Sequence, residues 1–320
     1  MSITIWLLFL VLITALLALD LGVFHKKDEV LKYSSAMLWS IFWIVLSLLF
    51  GLVVYFLYDH PEFNSHSNIH SLSPATALIQ YYTGYIIEKS LSLDNIFVIV
   101  LIFQYFKIPD KYQHKVLFWG ILGAILLRGV MIIFGVALIQ EFAWLLYVFG
   151  VFLIYTSIKM YLERDKVSTP QNNFIYKKIV SKIRYVDTYE HGHFFIFKDG
   201  LRYATPLFLA LIVIELSDVV FAVDSIPAIF SVTLDPFIIF TSNIFAILGL
   251  RSLYFVLAAL INKFRYLKYS LIFILFYIGI KMVVVDLYHI PTVLSLTIIL
   301  TALTLGIVLS LYNKSPEESV

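Results

Sequence analysis

The sequence has no cysteine in its 320 residues, which excludes disulfides and any thiolate metal site. Charge is also scarce. Asp, Glu, Lys and Arg make up 14% of the chain, against about 25% in an ordinary soluble domain. The formal net charge of +2 gives no basis for nucleic-acid binding. No basic residue precedes the first apolar stretch at Ile3, so that stretch lacks the leading positive region of a cleaved signal peptide and is expected to be retained. No histidine lies well inside an apolar segment, all eight being in connections or near segment ends. His60, His66 and His70 form a loose group in one connection, read as a solvated loop.

What is abundant is apolar surface. Hydrophobic residues reach 61%, with a mean hydropathy of +0.92. A soluble fold of this size would expose large apolar patches, whereas lipid removes that penalty. Runs of about 20 mainly apolar residues mark spanning helices. They fall at 3–24, 38–58, 75–103, 116–139, 142–162, 206–230, 237–261, 269–287 and 292–312. The expected fold is therefore all-α: a polytopic helical membrane protein of about nine transmembrane helices, forming a single transmembrane domain over 1–320. The one sizeable polar connection is 163–205.

Basic residues orient this arrangement. Of the 23 Lys and Arg, 18 lie in connections, and nine spans put all of them on one side. The opposite connections carry Asp59, Glu62, Glu141 and Asp235. The positive-inside rule makes the basic side cytoplasmic, with the N-terminus outside and the C-terminus inside.

Polar residues inside the spans recur in order. Glu88 and Asp94 are six residues apart, as are Asp218 and Asp224, at an offset of 130. Leu127-Arg128 matches Leu250-Arg251 at an offset of 123, and the run ending Ile158-Lys159-Met160 matches Ile280-Lys281-Met282 at 122. Two consecutive units of three spans result, at about 75–162 and 206–287, flanked by 3–24, 38–58 and 292–312. An odd number of spans reverses the second copy, giving an inverted repeat of the kind many secondary transporters use.

Ionisable groups in a bilayer are expensive, roughly 2.5–3.5 kcal/mol each at mid-helix, so their retention implies use. Glu88, Asp94, Glu215, Asp218 and Asp224 are the candidate metal-path acids, with Asn95 and Ser225 as neutral oxygen donors. The inversion arranges the acids as a ladder, with Asp94 inward, Glu88 and Asp218 central, and Asp224 outward. Six residues on one helix leave side chains some 120° apart. Each pair therefore serves successive sites, or its helix is broken between the acids; Pro227 suggests a break in the sixth span. Hard oxygen donors suit Mn²⁺, Mg²⁺ or Ca²⁺ rather than Cu⁺ or Zn²⁺. Asp20, Arg128, Arg251 and Lys281 are candidate ion-pairing or gating groups. Arg128 and Arg251 are expected to pair with acids when no metal is bound, while Lys89 is expected to face away from the acids.

At these residues the sequence resembles the TerC/Alx family of integral membrane proteins. The resemblance rests on Glu88 through Asn95, Ala18 through Phe24, and Ala204-Thr205-Pro206. It also rests on Glu215 through Asp218, Phe221 through Ala228, Asp235 through Phe237, and Thr241 through Ser252. It implies a bacterial inner-membrane protein linked to tellurium resistance and Mn²⁺ efflux, with the acids above on the metal path. Lipid and a transported divalent cation are the expected partners, and no tightly bound cofactor is expected. The rival reading is a membrane scaffold or accessory protein that meets protein partners through the 163–205 loop. Neither Gly-x-Gly-Asp nor His-Glu-x-x-His occurs, so an intramembrane hydrolase is not expected.

Overall fold

A computed structural model describes residues 2–24, 33–60, 72–163, 184–186, 192–198, 200–258, 266–288 and 290–312; the side chains of residues 21–24, Asp94 and Phe97 lie outside that description. So do His66, His70 and most of the 163–205 connection. Ten helices and one hairpin are present among the described residues. They are α1 (Ile3–Phe24), α2 (Tyr33–Asp59), α3 (Pro74–Tyr105), α4 (Asp110–Glu141), α5 (Leu145–Leu162), β1 (Phe195–Lys198), β2 (Leu201–Ala204), α6 (Pro206–Phe230), α7 (Pro236–Ile247), α8 (Leu250–Ala258), α9 (Leu267–Val283) and α10 (Thr292–Tyr312). A helix occupies every one of the nine segments read from hydropathy. Six are long and apolar enough to cross a membrane, and the bent pair α7–α8 makes a seventh if it forms one span.

Local chemistry sets the helix starts. Ser73 accepts from the Thr76 amide at 3.2 Å ahead of Pro74. Asp235 accepts from the Phe237 and Ile238 amides at 2.9 and 3.2 Å ahead of Pro236. Both are capped starts with proline at the first helical position, where its missing N–H costs nothing. Outward positions carry Leu, Val, Ile and Phe, as in the exposed faces of α1 and α2, because the solvent there is hydrocarbon.

The seventh predicted segment is broken. Gly249 has φ +79°, a conformation glycine adopts without steric cost, and the chain bends 43° between α7 and α8. By contrast, α6 runs as helix through Pro227 to Phe230, so the expected break in the sixth span is not found. Pro227 sits in the last turn of α6, and the helix is continuous through the preceding turn, on which a proline acts. Helix α3 is likewise continuous from Glu88 to Asp94.

Helix α7 is the centre of the molecule. Of its residues Phe237 to Ile247, all except Phe240 are buried. It packs on α3 and α4, while α4 also lies along α6 and α3 along α6. Helices α5 and α9 pack backbone to backbone. A Cβ at Gly150 would meet the Gly279 carbonyl oxygen at 2.9 Å, and one at Gly279 would meet that of Gly150 at 2.8 Å. Small residues let backbones approach this closely, which drives helix association in lipid. Aromatic rings of Phe9, Phe50, Tyr81, Phe237 and Phe245 join α1, α2, α3 and α7.

Candidate functional site

Arg128 on α4 is fully buried, with 0% exposure. A guanidinium presents five donors and stays charged, so burial obliges it to find acceptors. It finds them on two helices. Nη2 donates to Asp218 Oδ1 at 2.7 Å and Nε to Asp218 Oδ2 at 3.0 Å, a bidentate fork on a carboxylate from α6. Nη1 donates to Glu88 Oε1 on α3 and lies 3.4 Å from Ser225 Oγ on α6. Glu88, also 0% exposed, accepts from Asn243 Nδ2 on α7 at 3.1 Å and lies 3.5 Å from Ser92 Oγ. Asn95 Nδ2 stands 3.5 Å from Asp218 Oδ1. Three helices therefore meet at one guanidinium, and α7 joins them through Glu88.

Each helix supplies its residue for a local reason. Asn95 lies seven residues beyond Glu88 on α3, and Ser225 seven beyond Asp218 on α6. Seven residues make close to two turns, which returns to the same face. Asn95 meets Asp218, while Ser225 shares Arg128 with Glu88, so α3 and α6 run antiparallel through the site.

The cluster has unused capacity. With both acids ionised, two carboxylates and one guanidinium carry a net charge of −1. The side-chain oxygens of Asn95 and Asn243 are buried with no hydrogen-bond partner among the described residues. A cleft between α3, α4 and α6 is lined by Asn95, Ile99, Gly120, Ile121, Ser217 and Asp218, on the side of the cluster toward the helix ends that carry Lys107, Lys111 and Lys115. Toward the other end, Ile132, Val136, Ile139, Ile226, Ile229 and Phe230 pack into a continuous apolar plug.

The other predicted residues lie elsewhere. Arg251, on α8, donates through Nη2 to Asp20 Oδ2 at 3.0 Å and to the Asp20 backbone carbonyl at 2.6 Å. Both arginines thus meet acids as expected, with different partners. Glu215 sets its carboxyl against Gly123 of α4, with Oε2 buried and without a partner among the described residues. Asp224 lies beside the Thr156 hydroxyl of α5, and its Oδ1 is buried and likewise without a partner. Lys281 is 7% exposed on α9. The described residues contain no group of three or more His, Cys, Asp or Glu placed to hold a metal ion. The side chain of Asp94 lies outside the description.

Two residues gain importance that sequence reasoning did not give them. Asn243, a mid-span amide, is the α7 partner of Glu88. Lys89 does turn away from the acids, as expected, and its ammonium donates to the Ala246 carbonyl at 3.1 Å, three residues before the Gly249 break. Residues 88 and 89 therefore grip α7 at two successive points. An amide in the middle of an apolar run and a glycine within a predicted span were the available signals.

The fold and the buried ion-pair network define a polytopic α-helical membrane protein. The chain belongs to the TerC family of integral membrane proteins, whose model matches residues 73–318. It is 47% identical to a membrane protein of Rickettsia bellii, covering 97% of this chain and 98% of that one. It is 47% identical to the membrane protein STKORF319 of Myxococcus xanthus, over 97% and 92%. It is 44% identical to Alx of Salmonella typhi, named there as a candidate membrane-bound redox modulator, over 97% and 94%. No solved structure matches.

Proposed function

We propose that this protein is a secondary exporter of divalent metal cations, Mn²⁺ first among them, working by alternating access. The observation that carries the reading is Arg128 held between Glu88 and Asp218. Arg128 acts as a resident counter-ion for the empty carrier, keeping two central acids in place at the bilayer midplane. A divalent cation that displaces it neutralises both carboxylates fully, where Arg128 leaves one charge over. The free oxygens of Asn95 and Asn243 add neutral hard donors, which suit Mn²⁺, Mg²⁺ or Ca²⁺. The cation then passes between the central pair and the outlying acids, Glu215 and Asp94 on one side and Asp224 on the other.

Alternating access draws on the repeat. Under the 130-residue offset, the approach of Asn95 to Asp218 corresponds to that of Ser225 to the Arg128 guanidinium held by Glu88. The packing of α3 on α7 exchanges with that of α6 on α4. Both correspondences support an inverted pair of three-helix units in a nine-span chain that rock against each other. The basic connections put the end that carries Lys107, Lys111 and Lys115 at the cytoplasmic face of a bacterial inner membrane. A redox role, suggested by the name of Alx, would have to proceed without thiols here, since the chain has no cysteine.

Binding tests the reading directly. Mn²⁺ added to the purified protein in detergent should lose its free-ion paramagnetic resonance signal at low micromolar concentrations. Glu88→Gln and Asp218→Asn should each weaken binding by about tenfold or more, the loss of roughly 1.4 kcal/mol or more from one charged ligand. Unchanged binding in both variants would place the metal elsewhere and defeat this assignment.

A further inference from the structure

The hairpin just ahead of α6 carries a surface that transport does not use. Its register pairs Phe195 with Ala204, Ile196 with Tyr203, Phe197 with Arg202 and Lys198 with Leu201. Alternation sends Phe195, Phe197, Arg202 and Ala204 to one face and Ile196, Lys198, Leu201 and Tyr203 to the other. At the base of the hairpin the second face turns inward, with Ile196 buried and Tyr203 half-buried. On the first face Phe195 is half-buried and Ala204 buried at the base, while toward the tip Arg202 is exposed and Phe197 is 79% exposed.

The base is fixed to the ends of membrane helices. The Thr205 amide donates to the Phe194 carbonyl at 3.0 Å and its hydroxyl to the His193 carbonyl at 2.7 Å. Lys115, near the start of α4, donates to the Gly192 carbonyl at 2.8 Å and lies over the Phe194 ring. The Phe195 ring packs on Phe208 in the first turn of α6, with centroids 4.3 Å apart. Phe208 begins the outward stripe of α6, which continues through Ile212, Leu216, Val220 and Val223, none of them buried. Phe195 therefore extends a lipid-facing stripe, and Phe197 extends it one pleat further. The Arg202 guanidinium stacks on the Phe195 ring at 3.8 Å, and Lys198 stands exposed beside the tip.

We infer that this hairpin is a membrane-interface anchor. Phe197 enters the boundary between headgroups and acyl chains of the leaflet at the basic end of the bundle. Arg202 and Lys198 meet the phosphates of anionic lipids. Aromatic rings at headgroup level flanked by cations are the usual chemistry of such anchors. The anchor holds the start of α6, the helix that carries Asp218, at a fixed depth. This inference rests on the membrane class of the protein and not on its cargo.

The absence of native cysteine makes the test direct. Phe197→Cys and Lys198→Cys are labelled with an environment-sensitive fluorophore in nanodiscs of equal parts phosphatidylglycerol and phosphatidylcholine. Since Phe197 is largely exposed, replacing it removes little packing. The label at 197 should be quenched by lipids carrying a shallow nitroxide, at about 5–10 Å depth, and be about threefold less accessible to aqueous iodide than the label at 198. Arg202→Gln, or removal of the phosphatidylglycerol, should lower the lipid quenching at 197. Equal iodide access at both positions would overturn the proposal. So would lipid quenching indifferent to both Arg202 and anionic lipid. A label at 197 open to iodide in purified protein but shielded in native membranes would overturn it in favour of a protein partner.

Discussion

At the scale of single residues, the structure turns on one cation. Arg128 satisfies the fully buried Glu88 and the largely buried Asp218, so removing it leaves two carboxylates without a counter-charge. Breaking a buried ion pair from one side costs about 3–5 kcal/mol, and Arg128→Leu should lower the melting temperature in detergent sharply. Adding Glu88→Gln and Asp218→Asn to Arg128→Leu should recover much of that loss. A triple variant no more stable than the single one would refute the pairing as the source of the cost. Asn243→Leu withdraws the donor to Glu88 Oε2 and should cost about 1–3 kcal/mol by the same assay. These acids were legible in the sequence because charge is so rare within the spans. Their partners were not, because hydropathy carries no information about which helix stands beside which. Nothing in the spacing of Arg128 and Arg251 says that one would meet two central acids while the other met Asp20.

At the scale of the element, the unusual helix is the broken one. Gly249 holds φ at +79°, and a Cβ there would meet the Trp43 side chain at 2.7 Å. Gly200 has a similar φ of +72° with nothing within 4 Å. Gly249→Ala should therefore destabilise by more than the roughly 1–2 kcal/mol expected of the backbone strain alone, while Gly200→Ala should cost no more than that strain. Equal melting temperatures for the two variants would contradict the packing of Trp43 against the break. Sequence reasoning looked for the break at Pro227 because proline is the stronger breaker. It overlooked Gly249 because a glycine within an apolar run also reads as a packing position. The position of each residue along its helix decided both outcomes: Pro227 falls in a terminal turn, and Gly249 falls where two short helices meet.

At the scale of the whole molecule, the nine segments read from hydropathy all contain helix, although only six helices, or seven with the bent pair, are long and apolar enough to cross a membrane. The segment that departs from a single rod begins with α7, which is buried along all of Phe237–Ile247 except Phe240. Burial on every side gives α7 the same apolar sequence as a lipid-facing helix, so composition could not separate the two. The separation of basic and acidic connections predicts that single cysteines placed at Lys115 and Asp235 will react with impermeant thiol reagents from opposite sides of the membrane. Labelling of both from one side would overturn the nine-span arrangement.

The most direct test of the account is Mn²⁺ flux into proteoliposomes, comparing wild type with Glu88→Gln and Asp218→Asn, each shown to be inserted and monodisperse. The account predicts robust flux for the wild type and loss of at least about a hundredfold in each variant, since each removes a charged group from the central step, worth about 2.7 kcal/mol or more of its barrier. Wild-type rates in both variants would contradict it, as would a folded wild type that carries no Mn²⁺, Mg²⁺ or Ca²⁺.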